Sequence, residues 1–236
     1  MLILGLCGKA GNGKDSVADY LVARYGFIKF SFSDALYREV ATAFNLPDDS
    51  LLRDRATKEE FSDQLTLEKC NDKYFVDIAT PLLQAKHSGI QVPTPAHLPL
   101  SPREVLQWWG TQYRRASDPD YWIEQADNWL IDMRRLSPYP ECKPMLFVNT
   151  SVRFENERAW VKNWEGNVWH LRRSSAAPVA SHISETPLPV LEGEREIFNN
   201  YTLDYLYMGI DRLLSSNDQF VRLEPPAPMV EPEESA

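Results

Sequence analysis

Gly8, Gly13 and Lys14 are spaced as G-x-x-x-x-G-K. In that pattern glycines let backbone N–H groups face a polyphosphate while the lysine reaches its outer oxygens. Gly11 and Asn12 complete the turn, and Asp15 and Ser16 follow the lysine. Asp15 stands where a Ser or Thr hydroxyl usually meets Mg²⁺. Two readings stay open: Asp15 holds the metal, directly or through water, or Ser16 takes the place of the hydroxyl. A glycine-rich turn with no ligand is the plain alternative, and the flanking pattern argues against it. The apolar run Leu2–Cys7 reads as a strand before the loop, and Val17, Leu21 and Val22 keep a helical period after it, as far as Gly26.

The elements that must position this loop recur along the chain. Phe27–Phe32 reads as a second strand, and Ser33-Asp34 then caps a helix carrying Leu36, Val40 and Phe44. Asp34 and Arg38 thus fall near a strand's carboxyl end, where open α/β sheets bind ligands. For Asp34 a substrate contact and a plain N-cap are both open. Residues 48–101 lose the rhythm and gather Pro93, Pro95 and Pro99, so they read as a mostly helical insertion ending in an extended linker. Tyr74–Leu83 within it looks helical, with Pro81 as a kink, and Arg53, Arg55 and Lys58 read as a solvated face before a phosphate contact.

Ser101-Pro-Arg-Glu104 is a capping box with proline at the first helical position. The helix it starts carries Trp109 and Tyr113 and ends in Arg114-Arg115, and Asp118-Pro119 restarts a helix with an apolar stripe from Trp122 to Met133. Most of these aromatics read as core; a base stacked on Trp108 or Trp109 is the alternative. Pro144–Val148 is a continuous apolar run suited to a central parallel strand, and the polar stretch Asn149–Glu157 after it supplies site candidates, among them Arg153 and Glu157. A helix with Trp160 stops at Gly166, Val168–Leu171 forms another strand running into Arg172-Arg173, Ile197-Phe198 forms a last short one, and Leu203–Leu214 a closing helix. This strand–helix alternation predicts a three-layer α/β/α domain over residues 1–224 with a mainly parallel sheet. The tail, 225–236, holds four prolines, three glutamates and no basic residue, and reads as disordered.

Arg114, Arg115, Arg153, Arg172 and Arg173 all fall at expected element ends. Guanidinium forks there bind phosphate oxygens and neutralise a transferred phosphoryl group, which suggests phosphoryl transfer between two anionic partners. The formal net charge of −9 argues against a duplex-DNA binder. No run approaches the roughly 18 apolar residues of a membrane span, and the short N-terminal apolar run is no signal peptide. Cys7, Cys70 and Cys142 form no C-x-x-C pair and read as buried thiols in a reducing cytosol. There is no nucleophile elbow or H-E-x-x-H, and His182 in Ser181–Glu185 reads as a loop hydrogen-bonder.

Several stretches together resemble the deoxynucleoside monophosphate kinases of tailed bacteriophages: Gly8–Ser16 with its Gly-Lys-Asp-Ser ending, Leu106–Arg114 followed by Tyr121-Trp-Ile, Val152–Glu157, His170–Arg173, His182–Glu185 and Ile197–Leu203. The resemblance implies a P-loop kinase fold with an insertion serving as monophosphate-binding and lid region, ATP and Mg²⁺ as cofactors, and a dNMP as acceptor, for dNTP supply in phage DNA replication. It implies that Gly8, Gly11, Asn12, Gly13, Lys14, Asp15 and Ser16 hold the ATP phosphates and Mg²⁺. Lys14 would act on the transferred group, Arg114 would contact the acceptor or the transferred phosphate, and Arg153 and Arg173 would add positive charge as the site closes; Asp34, Arg38, Trp109, Arg115 and Glu157, read from their positions, are the candidates to face the acceptor. It also implies a cytoplasmic enzyme with no direct nucleic-acid or membrane partner, and allows a homodimer. Where the family commonly has Asp-x-Arg after the central strand, this chain has Ser151-Val-Arg153. Two rivals share the loop: a P-loop kinase of the dephospho-coenzyme A or phosphomevalonate type, and a nucleotide-binding regulatory protein without catalysis.

Overall fold

The computed structural model describes residues 1–87, 95–136, 145–174 and 188–216. Cys142, the Ser181–Glu185 loop with His182, Pro93 and the acidic tail lie outside them. In chain order the elements are β1 (Leu2–Cys7), α1 (Lys14–Tyr25), β2 (Ile28–Phe30), α2 (Ser33–Ala43), the single turn α3 (Ser50–Arg53), α4 (Lys73–Lys86), α5 (Pro102–Gln107), α6 (Tyr121–Leu136), β3 (Leu146–Val152), α7 (Glu155–Asn163), β4 (Asn167–Arg172), β5 (Arg195–Phe198) and α8 (Leu203–Ser216). They fall into two compact units, one built from Met1–Ser31 with Ser137–Ala236, the other from Phe32–Leu136.

The first unit is the α/β body. Its strands stand in the order β2-β3-β1-β4-β5, and every neighbouring pair is parallel. Alternation along the strands divides the apolar residues between two faces. Leu4, Leu6, Val148, Trp169 and Leu171 point to one, where Val17 and Leu21 of α1 and Leu206, Ile210 and Leu214 of α8 close the core. Tyr20 stacks on Tyr207 with ring centroids 4.1 Å apart, and the hydroxyls of Tyr20 and Tyr25 both donate to Asp211. On the other face α7 packs against β1 and β4, with Phe30 meeting Phe147 and Trp160 edge to face. A parallel sheet covered by helices on both faces is thus realised as expected.

Two expectations shift. β3 runs to Val152, paired beside Cys7, so Asn149 and Ser151 lie within the strand. Locally, Asn149 Oδ1 accepts from the Ser151 backbone N–H at 2.8 Å and from its hydroxyl at 3.2 Å, which satisfies these groups within the buried strand. β2 is confined to Ile28–Phe30.

The second unit is helical and wider than the 48–101 insertion. Packing decides this, because Phe75 of α4 meets Phe44, which follows α2, and Trp109, which follows α5. α2 starts at Ser33 behind Phe32, with no side-chain cap bond; Asp34 therefore sits inside the first turn, where the helix dipole favours a carboxylate, and is not its N-cap. α4 contains Pro81 as expected, and the Ser101–Glu104 capping box is formed on both sides. α5 continues directly into π-helical turns, Trp108–Arg115.

Two glycines test the body's packing. A Cβ on Gly166 would lie 2.5 Å from the Ile3 carbonyl oxygen and 2.7 Å from that of Val161, whereas one on Gly209, inside α8, meets nothing within 4 Å. Chemical denaturation should show Gly166→Ala destabilised by about 1–3 kcal/mol and Gly209→Ala stabilised by about 0.5–1 kcal/mol.

Candidate active site

Because all five strands run the same way, the residues that follow them share one edge of the sheet. β1 leads into the glycine loop, β3 into Arg153, β4 into Arg173 and β5 into Asn199. β3 and β4 are the two neighbours of β1, so Arg153 and Arg173 follow the strands that flank the loop.

The loop's shape comes from its glycines. Gly8, Gly11 and Gly13 have φ of 142°, 81° and 95°. At Gly8 a Cβ would also meet the Leu171 carbonyl oxygen at 2.6 Å, and at Gly13 the Asn199 side-chain nitrogen at 2.3 Å. The loop is tied down by amides. Asn12, buried, donates through Nδ2 to the Leu171 carbonyl at 2.6 Å. Asn199, 7% exposed, donates through Nδ2 to the Asn12 carbonyl at 3.1 Å and through its backbone N–H to the Arg172 carbonyl at 2.8 Å. Lys14 donates to the carbonyls of Gly8 at 2.6 Å and Lys9 at 3.0 Å, so its ammonium lies within the turn. α1 begins at this lysine, which leaves the first N–H groups of the helix at the loop, the arrangement that binds anions.

Asp15 lies 3.1 Å from the Lys29 ammonium, which also pairs with Asp19 at 2.9 Å. Burial opposes the charged form of Lys29, but the two carboxylates outweigh it and hold its pKa above that of a free lysine. Asp15 and Ser16 offer hard oxygen donors of the kind Mg²⁺ prefers. No group of three or more His, Cys, Asp or Glu side chains able to hold a metal occurs among the described residues.

Arg173 is exposed, and Arg153 is half-buried beside the N-terminus of α7. Glu157 is only 2% exposed, and its carboxylate accepts from the backbone N–H groups of Arg153 at 2.7 Å and Phe154 at 3.2 Å. It therefore caps α7 and steers the chain out of β3. Ser151 receives a 2.8 Å bond from the Ser31 hydroxyl. Cys7 is buried as expected, donates to the Val152 carbonyl, and has its thiol pushed up to about 12 by burial, with Glu194 adding to it. Cys70 is only half-buried.

The helical unit holds the other candidates. Asp34 pairs with Arg53 at 3.0 Å, and Arg53 also pairs with Asp49 and lies over the Tyr37 ring. Arg38 is exposed, and Arg115 donates to the Pro119 carbonyl. Trp109 is 1% exposed and packed against Phe75 and Tyr113, so it is core and offers no open face for a base. Its indole N–H donates to Glu39 at 2.8 Å, and Arg114 Nε donates to the same carboxylate oxygen at 2.9 Å.

Sequence reading named neither Lys29 nor Glu39, and gave Asn199 no role beyond its place in the Ile197–Leu203 stretch. Glu39 had a faint signal, since it shares a helical face with Leu36, Val40 and Ala43. A buried group of His170, Arg158 and Glu194 was also missed; Glu194 lies 2.7 Å from His170 and 3.6 Å from Arg158.

An all-parallel sheet in this order, with the glycine loop between its central strand and the first helix, is a P-loop kinase-like α/β fold. No protein-family model matches the chain. Over 219 residues, 89% of this chain and 94% of the relative, it is 25% identical to a protein of Acanthamoeba polyphaga mimivirus named "Putative deoxynucleotide monophosphate kinase". That relative is viral but gives no support to a bacteriophage origin. Among solved structures, a sugar kinase from Janibacter sp. HTCC2649 aligns over 95% of this chain and 96% of its own, at 14% identity and a TM-score of 0.41, which is too loose a superposition to bear on function.

The amide clamp on the loop yields a measurable expectation. Asn199→Ala removes a buried donor and leaves the Asn12 carbonyl without it, and should lower stability by about 1–2 kcal/mol in chemical denaturation; unchanged stability would show that the clamp holds nothing.

Proposed function

We propose that the protein transfers the terminal phosphoryl group of ATP to a deoxynucleoside 5′-monophosphate, giving the diphosphate and ADP. The observation that carries this reading is the glycine loop with Lys14 at the carboxyl edge of a parallel sheet, flanked by strands that lead into Arg153 and Arg173. The choice of acceptor is supported by the name of the mimivirus relative and by the motif resemblance.

The reaction suits what these residues offer. One oxygen of the acceptor's phosphate attacks the γ-phosphorus, and the bond from that phosphorus to the bridging oxygen of ADP breaks. The attacking oxygen is already ionised, so the site needs no general base; positioning and charge stabilisation suffice. The backbone N–H groups of the loop and the Lys14 ammonium hold the donor phosphates, and Arg153 and Arg173 add positive charge at the same sheet edge. Mg²⁺, when bound, would neutralise charge shared between the phosphates, with Asp15 and Ser16 as the chain's oxygen donors toward it. In the helical unit Arg114 is the acceptor-phosphate ligand in this reading, and Arg38 and Arg115 are further candidates there.

The test is ADP release from ATP and Mg²⁺ in the presence of dAMP, dCMP, dGMP, dTMP or UMP, each in turn. Release should appear only with certain monophosphates and vanish in Lys14→Ala that keeps its fold by circular dichroism. Arg114→Ala should lower kcat/KM for the accepted monophosphate by about 10²–10³-fold, as loss of a phosphate clamp does. ATP binding with no acceptor-dependent release would remove the proposal.

A further inference from the structure

We infer that Glu39 is a positioning residue that aims Arg114 as a rigid fork at the acceptor's phosphate. The inference rests on the assignment of Arg114 above and concerns how that arginine is made competent. The π-helical turns bring Trp109, Tyr113 and Arg114 to one face. Glu39 of α2 then binds that face and α6 together. Its Oε2 accepts from Trp109 Nε1 at 2.8 Å and from Arg114 Nε at 2.9 Å, and its Oε1 accepts from the Tyr121 hydroxyl. The guanidinium carbon lies 4.3 Å from the Tyr113 ring centre and 4.9 Å from that of Tyr121.

The arginine is therefore held at its Nε edge and covered by aromatic rings, while no hydrogen bond engages its two terminal nitrogens among the described residues. Those nitrogens form the edge that takes two oxygens of a phosphate side by side. An ordinary surface ion pair has a different form: it leaves both side chains loose, and here the arginine and glutamate side chains are only 26% and 21% exposed. Trp109 and Tyr121 also donate to the carboxylate, so its position is fixed before any ligand arrives. Fixing a guanidinium in advance removes the entropy that a free side chain would lose on binding.

The experiment compares Glu39→Gln, Arg114→Ala and the double variant in steady-state phosphoryl transfer, with an equimolar mixture of dAMP, dCMP, dGMP and dTMP as acceptor. A parallel equilibrium titration uses the same mixture without ATP. Glu39→Gln keeps the size of the side chain but loses its charge and part of its accepting capacity. It should reduce kcat/KM for the acceptor by about 10–100-fold, leave KM for ATP unchanged, and weaken monophosphate binding in the titration. In the double variant the loss should equal that of Arg114→Ala alone, since Glu39 acts through the arginine. Tyr121→Phe, which deletes one donor to Glu39, should shift the acceptor KM in the same direction by a smaller factor, and it carries the test if Glu39→Gln does not fold. An impaired Arg114→Ala beside an unimpaired Glu39→Gln, or losses that simply multiply in the double variant, would overturn the inference alone. A fully active Arg114→Ala would overturn the assignment of the arginine and the inference with it.

Discussion

A buried 2.6 Å hydrogen bond from the Asn12 side chain to the Leu171 carbonyl makes the glycine loop a fixed object. A loop of glycines is the segment with most conformational freedom to lose on folding, and three of its residues here occupy backbone conformations that other residues rarely adopt. Holding that shape requires partners from outside the loop. β4 supplies one through Leu171, and the segment after β5 supplies another through Asn199. Both partners exist only because the strands are parallel and in register, with Cys7 beside His170 and Arg172 beside Phe198. The sheet does more than form a core, since its order decides which side chains can reach the loop.

The helical unit solves a related problem by other means. Its arginine sits on no sheet edge and cannot draw on strand register. Aromatic packing replaces it: Phe75, Trp109 and Tyr113 form a continuous cluster, and Tyr113 also donates to Asp72, the residue that caps α4. Burying an acidic side chain such as Glu39 among rings is costly unless every oxygen finds a donor. Here both oxygens find donors, and one of these is the guanidinium itself. Three donors around one carboxylate give the unit a polar centre with a single low-energy arrangement.

Legibility in the sequence followed the range of the interaction. The loop, the Ser101–Glu104 capping box and the Gly26 helix stop are contacts within a few residues, and each could be read from residue types alone; Gly26 takes φ of 72° and donates to Leu21 and Val22 as a helix terminator does. The strand–helix alternation gave the layered architecture for the same reason, because periodicity is local. The helical face shared by Glu39 hinted at burial, but its role could not be read, since its partners lie 70, 75 and 82 residues away, and Asn199 meets the loop across 187 residues. Glu157 was ambiguous for a related reason. A polar residue after a buried strand can face a ligand or cap the next helix, and only the backbone path past Val152 chooses between them. Trp109 divided in the same way between stacking platform and core, and its neighbour Phe75 decided for core.

The charge of the chain and the charge of the site are separate matters. A net −9 would repel polyphosphates if it acted as one charge, but exposed charges separated by more than about 10 Å are largely screened at ordinary ionic strength, so the near neighbours decide. At the sheet edge these include Lys14, Arg153 and Arg173. Ser151 replaces the acidic residue that the resemblance would place at the end of β3, and a neutral set of Ser31, Ser151 and Asn149 hydrogen bonds fills that position. Acidity at the loop itself comes from Asp15, which belongs to the pattern the resemblance rests on and whose carboxylate is paired with Lys29. A carboxylate balanced by a lysine adds little net repulsion toward an anion. With Asp15 paired to Lys29, the side chains of Lys14, Arg153 and Arg173 set the local balance of charge at this sheet edge, whatever the sign of the whole chain.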